Sequence, residues 1–396
     1  MTICQEKQNL LVGQYLDTYL PVIDGVINTV QNYARWLNTD HFPCYIAAPA
    51  APRGYVDLEP YPIIRYRSVP IKKRPPYRYG LPWLDRRFMN LEIDLSPSLL
   101  HAHAPFAAGE EARRIAHQRK IPLVASFHSK YYDDILQATG NKFLAEQAVQ
   151  LIVHFYHHAD HVWTANSATA RTLRDYGFQK SPEIMPIGSD LLFPEDREAA
   201  IDAVNLRFGL KADEDLMLFV GQLILQKNLV MLLDAAILYK RSGGKFKLLM
   251  VGEGYAQSEL NRKAEEAGLG DDIIFAGLIS DRSLLSAIYL RADLFTFPSL
   301  YDTAALVIRE AATADCPSLL IAGSNASEGI HDGITAYLCE NSAESFFQGI
   351  QRAFGQPDQR RAIGLQARQS LGRPWRDIVN DVAARYREII RDHVKK

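Results

Sequence analysis

The chain has 396 residues, of which 47% are hydrophobic and 23% charged, and its formal net charge is -2 at pH 7. This length suits two domains of about 180 residues each, and the composition excludes a disordered or fibrous chain. The near-zero net charge excludes the global basic field of nucleic-acid-binding proteins, so we expect no nucleic-acid partner.

Cysteine usage and hydropathy favour a cytoplasmic protein. The four cysteines are scattered without C-x-x-C pairing: Cys4, Cys44, Cys316 and Cys339. This pattern predicts neither a disulfide framework nor a zinc site and favours a reducing compartment. Residues 1–10 contain Glu6 and Lys7 and lack a long apolar core, so they do not predict a signal peptide. No apolar run reaches the ~18 residues that span a bilayer, so any membrane contact should be peripheral.

In the first half, short apolar runs alternate with amphipathic patterns, which predicts a parallel sheet covered by helices. A strand at residues 9–13 precedes a turn with Pro21, Asp24 and Gly25, and a helix follows at about residues 26–37. Later strands of this sheet are predicted at residues 44–48, 99–103, 123–128, 161–165 and 185–187.

A second series of strands and helices follows a region of higher charge. Residues 195–215 contain no clear strand, which places the predicted domain boundary there, with one domain at residues 1–195 and the next at 196–374. The predicted elements are a helix at residues 229–242 and strands at residues 217–221, 247–252, 273–276, 294–297 and 318–321. A final helix is predicted at residues 375–396. The fold class is therefore α/β, with two Rossmann-like lobes facing a central cleft.

The most specific pattern lies between residues 297 and 312. Asp302 and Glu310 stand eight positions apart, after a predicted strand. If a helix begins near Thr303, Asp302 occupies its N-cap and Glu310 lies about two turns in. The positive end of that helix would then point N–H groups at a bound diphosphate.

This spacing resembles the carboxylate-x7-carboxylate motif of glycosyltransferase family 4, a large retaining family with the GT-B fold. The matching segments follow in the family's order along nearly the whole chain: residues 17–26, 100–105, 126–128, 159–167, 187–190, 220–228, 251–254 and 275–277. The resemblance implies that the first lobe binds the acceptor and the second the nucleotide-sugar donor. It also implies that the helix at residues 375–396 crosses back onto the first lobe.

The resemblance further implies roles for individual residues. Glu310 would accept hydrogen bonds from the ribose hydroxyls, and Asp302, with Thr303 beside it, would hold the transferred sugar. Lys227 would bind the diphosphate and offset the charge that builds as the glycosidic bond breaks. His128 would contact the sugar or a phosphate, so the implied catalytic residues are His128, Lys227 and Asp302.

Two further positions belong to the implied donor site. Gly25 would let the backbone approach the diphosphate closely. Gln222 stands where the family usually has an arginine, so one diphosphate cation is replaced by an amide, and it either binds the donor or only fills the space. No metal and no resident cofactor are expected, because cations and helix ends bind the diphosphate. The nucleotide sugar is a substrate, and we expect a UDP-sugar rather than a GDP-sugar.

Cations alternate with aromatic residues between positions 61 and 88. The cations are Arg65, Arg67, Lys72, Lys73, Arg74, Arg78, Arg86 and Arg87, and the rings are Tyr61, Tyr66, Tyr77, Tyr79, Trp83 and Phe88. This composition suits peripheral contact with an anionic membrane. Within the family such a stretch is typical of enzymes that glycosylate lipids, notably diacylglycerol, so a lipid or glycan acceptor is expected. The alternative is a solvated loop with tyrosines packed beneath it.

Three other interpretations remain open on sequence grounds. His154 and His158 have the spacing of zinc ligands on one helical face, but no glutamate lies between them, and we do not expect a metal site. A nucleotide-sugar 2-epimerase would share the two-lobed fold, although the Asp302/Glu310 spacing and Lys227 disfavour it. A non-catalytic relative that binds sugar nucleotides or a partner protein would account for Gln222 and Ala305.

Overall fold

A computed structural model describes residues 10–71, 77–189 and 191–395 of the chain. Its strands are β1 (Val12–Tyr15), β2 (Cys44–Pro49), β3 (Ile63–Tyr66), β4 (Ser68–Pro70), β5 (Arg78–Gly80), β6 (Leu99–Ala102), β7 (Leu123–Phe127), β8 (His161–Thr164), β9 (Glu183–Ile184), β10 (Leu216–Val220), β11 (Lys247–Val251), β12 (Ile273–Gly277), β13 (Leu294–Phe297), β14 (Ser318–Ile321) and β15 (Tyr337–Cys339).

The helices cover most of the remaining chain, and three short 3-10 turns lie between them. The helices are α1 (Gly25–Asp40), α2 (Arg86–Leu95), α3 (Ala107–Arg119), α4 (Tyr131–Thr139), α5 (Lys142–His157), α6 (Ser167–Asp175), α7 (Arg197–Phe208), α8 (Leu229–Arg241), α9 (Gln257–Glu266), α10 (Arg282–Arg291), α11 (Leu306–Thr313), α12 (Ala343–Gly355), α13 (Pro357–Leu371) and α14 (Trp375–Val394). Among the described residues, none of these helices is both long and apolar enough to cross a bilayer.

The chain divides into two compact units. The first comprises Met1–Ile187 together with Trp375–Lys396, and the second comprises Gly188–Pro374. The helix α14 therefore belongs to the first unit, where it packs against α1. The chain passes to the second unit after Ile187 rather than near residue 195, because Leu191 joins the second unit's core and α7 packs against α10.

The first unit is built on a seven-stranded parallel sheet in the order β3-β2-β1-β6-β7-β8-β9. The chain starts in the middle of this sheet, adds β2 and β3 on one side and then returns to add β6 on the other. The gap between β1 and β6 is thus a topological switch point, where parallel sheets bind ligands beyond the carboxyl ends of their strands. A separate antiparallel pair, β4 and β5, lies outside this sheet.

Two contacts fix α14 within the first unit. Arg385 bonds the Glu183 carboxylate at 2.7 Å, and Tyr386 packs its buried ring on Trp163 of β8. Burial alone would raise the pKa of Glu183, but hydrogen bonds from His161 and Arg385 outweigh burial and lower that pKa to about 2. The carboxylate therefore stays charged at neutral pH and keeps α14 attached to β9.

The second unit repeats this plan with a six-stranded parallel sheet in the order β12-β11-β10-β13-β14-β15. Its core consists of apolar strand residues such as Leu218, Phe219, Leu249 and Phe295, covered by leucine-rich faces of the flanking helices. The switch point lies between β10 and β13, so the segments after Val220 and Phe297 meet at one edge of the sheet.

Several predicted boundaries differ from the structure. The first strand spans Val12–Tyr15 instead of residues 9–13, and the last strand of the first sheet is Glu183–Ile184 instead of residues 185–187. Pro186 lacks the N–H group that a strand there would need. The charged region at residues 195–215 contains α7, and the sequence did not predict β3, β4, β5 or β15.

Candidate functional site

The second unit brings three of the predicted residues to its switch point. Gln222 follows β10 directly and is exposed, and Lys227 ends a 3-10 turn at Leu225–Lys227. Asp302 lies in the segment after β13. Asn228 joins these two segments, because its side-chain nitrogen contacts the carbonyl oxygen of Pro298 and the amide oxygen of Asn341. The carboxyl ends of β10 and β13 therefore present one polar surface.

The centre of this surface is an ion pair between Lys227 and Asp302. Lys227 Nζ lies 2.5 Å from Asp302 Oδ1, and its side chain runs past the ring of Phe297, whose centroid is 5.4 Å from Nζ. Only 9% of Lys227 is exposed, so its ammonium group is held in one position by the surrounding residues. Asp302 Oδ2 is buried and has no hydrogen-bond partner within the described part of the chain.

The predicted N-cap role of Asp302 is wrong. Helix α11 begins at Leu306, its N-cap is Ala305, and no side chain caps it. Lys227 attracts the Asp302 carboxylate away from the helix, while Ala304 and Ala305 have no side-chain oxygen with which to start a helix earlier. Thr303 lies between the ion pair and the helix and is partly buried.

Glu310 lies one turn into α11 and is almost entirely buried, with 2% exposed. Its Oε1 accepts a hydrogen bond from Arg282 at 2.8 Å, and its Oε2 accepts one from the Tyr289 hydroxyl at 3.1 Å. The sequence analysis did not identify Arg282 or Tyr289. Their spacing of seven residues on α10 places both on one helical face, which was the available signal.

Close backbone packing fixes the loop that carries Gln222. Gly221 donates to the carbonyl of Val251, and Leu223 donates to that of Glu253. A Cβ atom on Gly252 would lie 2.0 Å from the Gly221 carbonyl oxygen, and Gly252 adopts φ +133°, which favours glycine. The glycines at 252 and 254 are therefore required for this approach.

Gly252→Ala is expected to lower the free energy of unfolding by about 3 kcal/mol or more, because it adds steric overlap to backbone strain. Gly268→Ala is the control, since Gly268 also has positive φ but faces open space; it should cost about 1–2 kcal/mol. Urea denaturation measures both. Equal destabilisation by the two variants would contradict the close approach.

The first unit places three histidines in one buried hydrogen-bonded chain. His101 and His103 project from the end of β6, and His128 follows β7. His103 Nε2 lies 2.7 Å from Gln14 Oε1, and His103 Nδ1 lies 3.1 Å from His128 Nε2. Burial lowers the pKa of His128 to about 4 and those of His101 and His103 well below their usual range, so all three rings are neutral at pH 7.

The Gln14 amide determines where the protons lie. Its nitrogen donates to the Tyr386 hydroxyl at 3.2 Å, so its oxygen faces His103 and accepts from Nε2. His103 Nδ1 is then an acceptor, and His128 donates to it through Nε2. A relay from α14 through Gln14 and His103 thus reaches His128 Nε2.

Tyr386→Phe is expected to destabilise the protein by about 1–3 kcal/mol, because it leaves the buried Gln14 amide nitrogen and His101 Nδ1 without their shared partner. Chemical denaturation at pH 7 measures the change. Tyr239→Phe is the control, since that ring is half-buried beside Phe246. An unchanged midpoint for Tyr386→Phe would contradict the relay.

The remaining predicted positions have few contacts with other side chains. Gly25 is the first residue of α1, after the N-cap Asp24, and a Cβ atom there would meet nothing within 4 Å. The rings of His154, on α5, and His158, its C-cap, lie 4.3 Å apart and are tilted by 49°. Within residues 10–71, 77–189 and 191–395, no group of three or more His, Cys, Asp or Glu side chains is placed to hold a metal ion.

Part of the aromatic and basic stretch has a structural role, as the alternative of a loop with aromatic rings packed beneath it predicts for those members. Tyr66 and Phe88 are buried against each other at 5.4 Å. Arg65 pairs with Asp57, and Arg78 bonds Ser68. Lys72, Lys73 and Arg74, like Cys4 and Asp190, lie outside the described residues.

Two family models match consecutive parts of the chain. Residues 23–191 match the model described as Glycosyltransferase Family 4, and residues 205–370 match the model described as Glycosyl transferases group 1. Alpha-monoglucosyldiacylglycerol synthase of Streptococcus pneumoniae is 23% identical over 310 residues, which cover 77% of this chain and 70% of that protein.

Solved structures have the same fold. Sucrose-phosphate synthase from Thermosynechococcus elongatus superposes with a TM-score of 0.76 at 19% identity, covering 97% of this chain and all (100%) of that one. Anabaena HepE in complex with UDP-glucose gives 0.77 at 14% identity, covering 96% and 99%. These likenesses confirm the predicted GT-B fold, and the family models confirm the predicted resemblance. The chain therefore belongs to glycosyltransferase family 4, a family of retaining enzymes.

Proposed function

We propose that the chain transfers a hexosyl group from a nucleotide sugar to a hydroxyl group of a membrane lipid, with retention of anomeric configuration and without a metal ion. The observation that carries the proposal is the Lys227–Asp302 pair at the carboxyl ends of β10 and β13. It combines a fixed cation with an unpartnered carboxylate oxygen, which are the groups that a diphosphate and a sugar require.

Lys227 binds the donor diphosphate in this proposal. An ammonium group has three N–H donors, and the bond to Asp302 uses one of them. The charge of the leaving nucleoside diphosphate is thereby offset without a metal. Gln222 adds amide donors beside it, and Asp302 Oδ2 accepts from hydroxyls of the transferred sugar, next to Thr303.

Glu310 binds the ribose of the donor. Each of its oxygens accepts one hydrogen bond from Arg282 or Tyr289, and a carboxylate has about four acceptor sites in all. It therefore retains the capacity to accept from two ribose hydroxyls. The nucleotide sugar is a UDP-sugar rather than a GDP-sugar, in keeping with the UDP-glucose complex of Anabaena HepE.

The chemical step follows the retaining course expected for the family. The acceptor hydroxyl oxygen forms a bond to the anomeric carbon on the face from which the diphosphate departs. The bond from that carbon to the phosphate oxygen breaks, and the hydroxyl proton passes to the leaving phosphate. His128 contacts the sugar or a phosphate as a neutral imidazole, and Gly25, at the start of α1, allows close approach of the backbone to the diphosphate.

A lipid acceptor is supported by the first unit's surface and by the relative from Streptococcus pneumoniae, which is named for a diacylglycerol product. Exposed apolar side chains lie among exposed arginines on β4, β5 and the segment up to α2: Val69, Ile71, Tyr79 and Trp83, with Arg67, Arg86 and Arg87. Rings and cations together favour the interface of an anionic membrane. The protein thus acts at the membrane surface, as a peripheral protein.

Product analysis tests this proposal. Purified protein in EDTA is incubated with UDP-glucose, UDP-galactose or GDP-mannose and with anionic vesicles that contain diacylglycerol. We expect one donor to yield a glycolipid whose anomeric proton, measured by NMR, has the configuration of the donor. Inverted product would overturn the retaining course. No transfer by a folded sample with any donor would overturn the proposal and favour the non-catalytic alternative.

A further inference from the structure

A cavity of about 630 Å³ opens in the first unit beside β5. This volume lies within the range of about 300–1,000 Å³ typical of small-molecule sites. Its described walls come only from the first unit. One side is formed by Ile71, Tyr79, Trp83 and Phe106, so an apolar chain would find rings to pack against there.

Asp17 also lines this cavity, and only one oxygen of its carboxyl group has a hydrogen-bond partner among the described residues. Asp17 follows β1 at the switch point, and its Oδ1 accepts a hydrogen bond from the Ala108 N–H at 2.9 Å. This bond caps α3, whose N-cap Phe106 has no side-chain oxygen. Asp17 Oδ2 is buried and has no hydrogen-bond partner among residues 10–71, 77–189 and 191–395. A cap needs only one oxygen, so capping does not explain the second.

The charges around Asp17 leave this oxygen available to a ligand. Burial raises the pKa of Asp17 to about 7, although backbone N–H groups at the start of α3 act to lower it. Two other charged residues line the cavity. Arg78 bonds Ser68, and Glu110 is paired with Arg113 at 2.7 Å. Neither forms a hydrogen bond to Asp17 among the described residues, so a neutral hydroxyl is a suitable partner for the carboxyl group.

We propose that this cavity binds the lipid acceptor. Asp17 Oδ2 accepts a hydrogen bond from the acceptor hydroxyl before transfer, and the hydroxyl proton then passes to the leaving phosphate. The rings of Trp83, Tyr79 and Phe106 hold the first part of an acyl chain. The inference rests on the proposed glycosyl transfer to a lipid and adds the cavity and the residues that bind this acceptor. An acyl chain could enter the cavity from the membrane past Trp83. This residue is 41% exposed and belongs to the apolar and basic surface described above.

Asp17→Asn tests the polar end of the cavity. Asparagine keeps an oxygen for the Ala108 N–H, so the cap and the fold are preserved, but it replaces Oδ2 by an amide nitrogen. At pH 8, above the Asp17 pKa of about 7, we expect the KM for diacylglycerol to rise at least about tenfold. The substitution replaces a hydrogen bond from the hydroxyl to a carboxylate by a weaker contact with a neutral amide nitrogen. The KM for the donor and the Kd for UDP should stay at the wild-type value. An unchanged acceptor KM would overturn the role of Asp17.

Trp83→Ala tests the apolar end, and Ile93→Ala is its control. Ile93 is 64% exposed on α2, in the same unit, and lines no part of the cavity. We expect the acceptor KM to rise with Trp83→Ala and to stay unchanged with Ile93→Ala. Dioctanoylglycerol dispersed without vesicles is used as a second acceptor, so that loss of membrane contact cannot produce the effect. An effect confined to vesicle assays would overturn the acyl-chain seat.

Binding without turnover separates this inference from the proposed function. Dioctanoylglycerol is titrated against wild-type protein and Asp17→Asn by calorimetry in the absence of donor. If dioctanoylglycerol binds the wild type and binds Asp17→Asn more weakly, the site is supported even if no sugar is transferred. Transfer by the wild type with unchanged acceptor KM in both cavity variants would overturn the site while leaving the proposed function intact.

Discussion

Lys227→Ala is expected to lower kcat by about 100- to 1,000-fold, the usual effect of removing one preorganised group that stabilises developing charge. The substitution removes the cation that lies 2.5 Å from Asp302 and leaves that carboxylate without its partner. A lone negative charge at the diphosphate position would repel the donor as well, so the KM for the nucleotide sugar should also rise. Steady-state kinetics with a saturating acceptor measure both.

A second lysine of the same unit provides the control. Lys240 lies on α8 and pairs with Asp272 at 2.6 Å, away from the switch point. Lys240→Ala removes an ion pair of similar length and should leave kcat within about twofold, because exposed pairs contribute little. Thermal unfolding of both variants excludes a folding defect as the cause. Full activity of a folded Lys227→Ala protein would contradict the proposed diphosphate role.

Glu310→Gln should weaken binding of the donor nucleotide at least about tenfold, since hydrogen bonds to a charged acceptor contribute about 1.5–3 kcal/mol each. The amide keeps the shape of the side chain, but it can no longer accept from both ribose hydroxyls while bonding Arg282 and Tyr289. Calorimetric titration with UDP measures the Kd.

Arg282→Gln separates the ribose role from a structural one. It removes the ion pair at 2.8 Å but keeps the Glu310 carboxylate and its bond from Tyr289. Because Arg282 is partly exposed, this variant should bind UDP with a Kd within about threefold of the wild type. Equal weakening by both variants would show that Glu310 only supports the fold, and unchanged affinity in Glu310→Gln would exclude it from the nucleotide site.

The sequence predicted the inner strands of both sheets because each is short and mostly apolar. The strands at Leu294–Phe297 and Ser318–Ile321 match the predicted ranges, and Leu216–Val220 differs by one residue. Of the edge strands, β12 was predicted and β9 was predicted a few residues late, but β3 and β15 were missed because they are short and carry mixed polarity. Tyr337–Cys339 has three residues, and Ile63–Tyr66 includes an arginine whose partner, Asp57, lies in a loop.

The ion pair between Lys227 and Asp302 could not be read from spacing alone. These residues are far apart in the chain, and only the parallel pairing of β10 with β13 brings their segments together. The sequence placed Asp302 at a helix N-cap because local capping is the commonest role of such an aspartate. The long-range attraction of Lys227 overrides that local preference.

Burial of Glu310 was likewise beyond the sequence pattern. Its motif spacing indicated a functional residue, but the partners Arg282 and Tyr289 come from a different helix, α10. The histidine relay could not be predicted for the same reason, because its members come from separate elements. His101 lies on β6 and His103 just after it, and His103 bonds His128 directly, but the partners that orient these rings are Gln14 from β1 and Tyr386 from α14.

The most direct test of metal-independent donor recognition at the second unit's switch point is nucleotide binding in the presence of EDTA. UDP, GDP and ADP are titrated against the folded protein while its thermal midpoint is recorded. A nucleotide that binds only the folded state must raise the midpoint, by an amount set by its concentration relative to Kd. We predict a clear rise with UDP that Lys227→Ala abolishes. No rise with any nucleotide, or a rise that appears only when Mg²⁺ is added, would contradict the account.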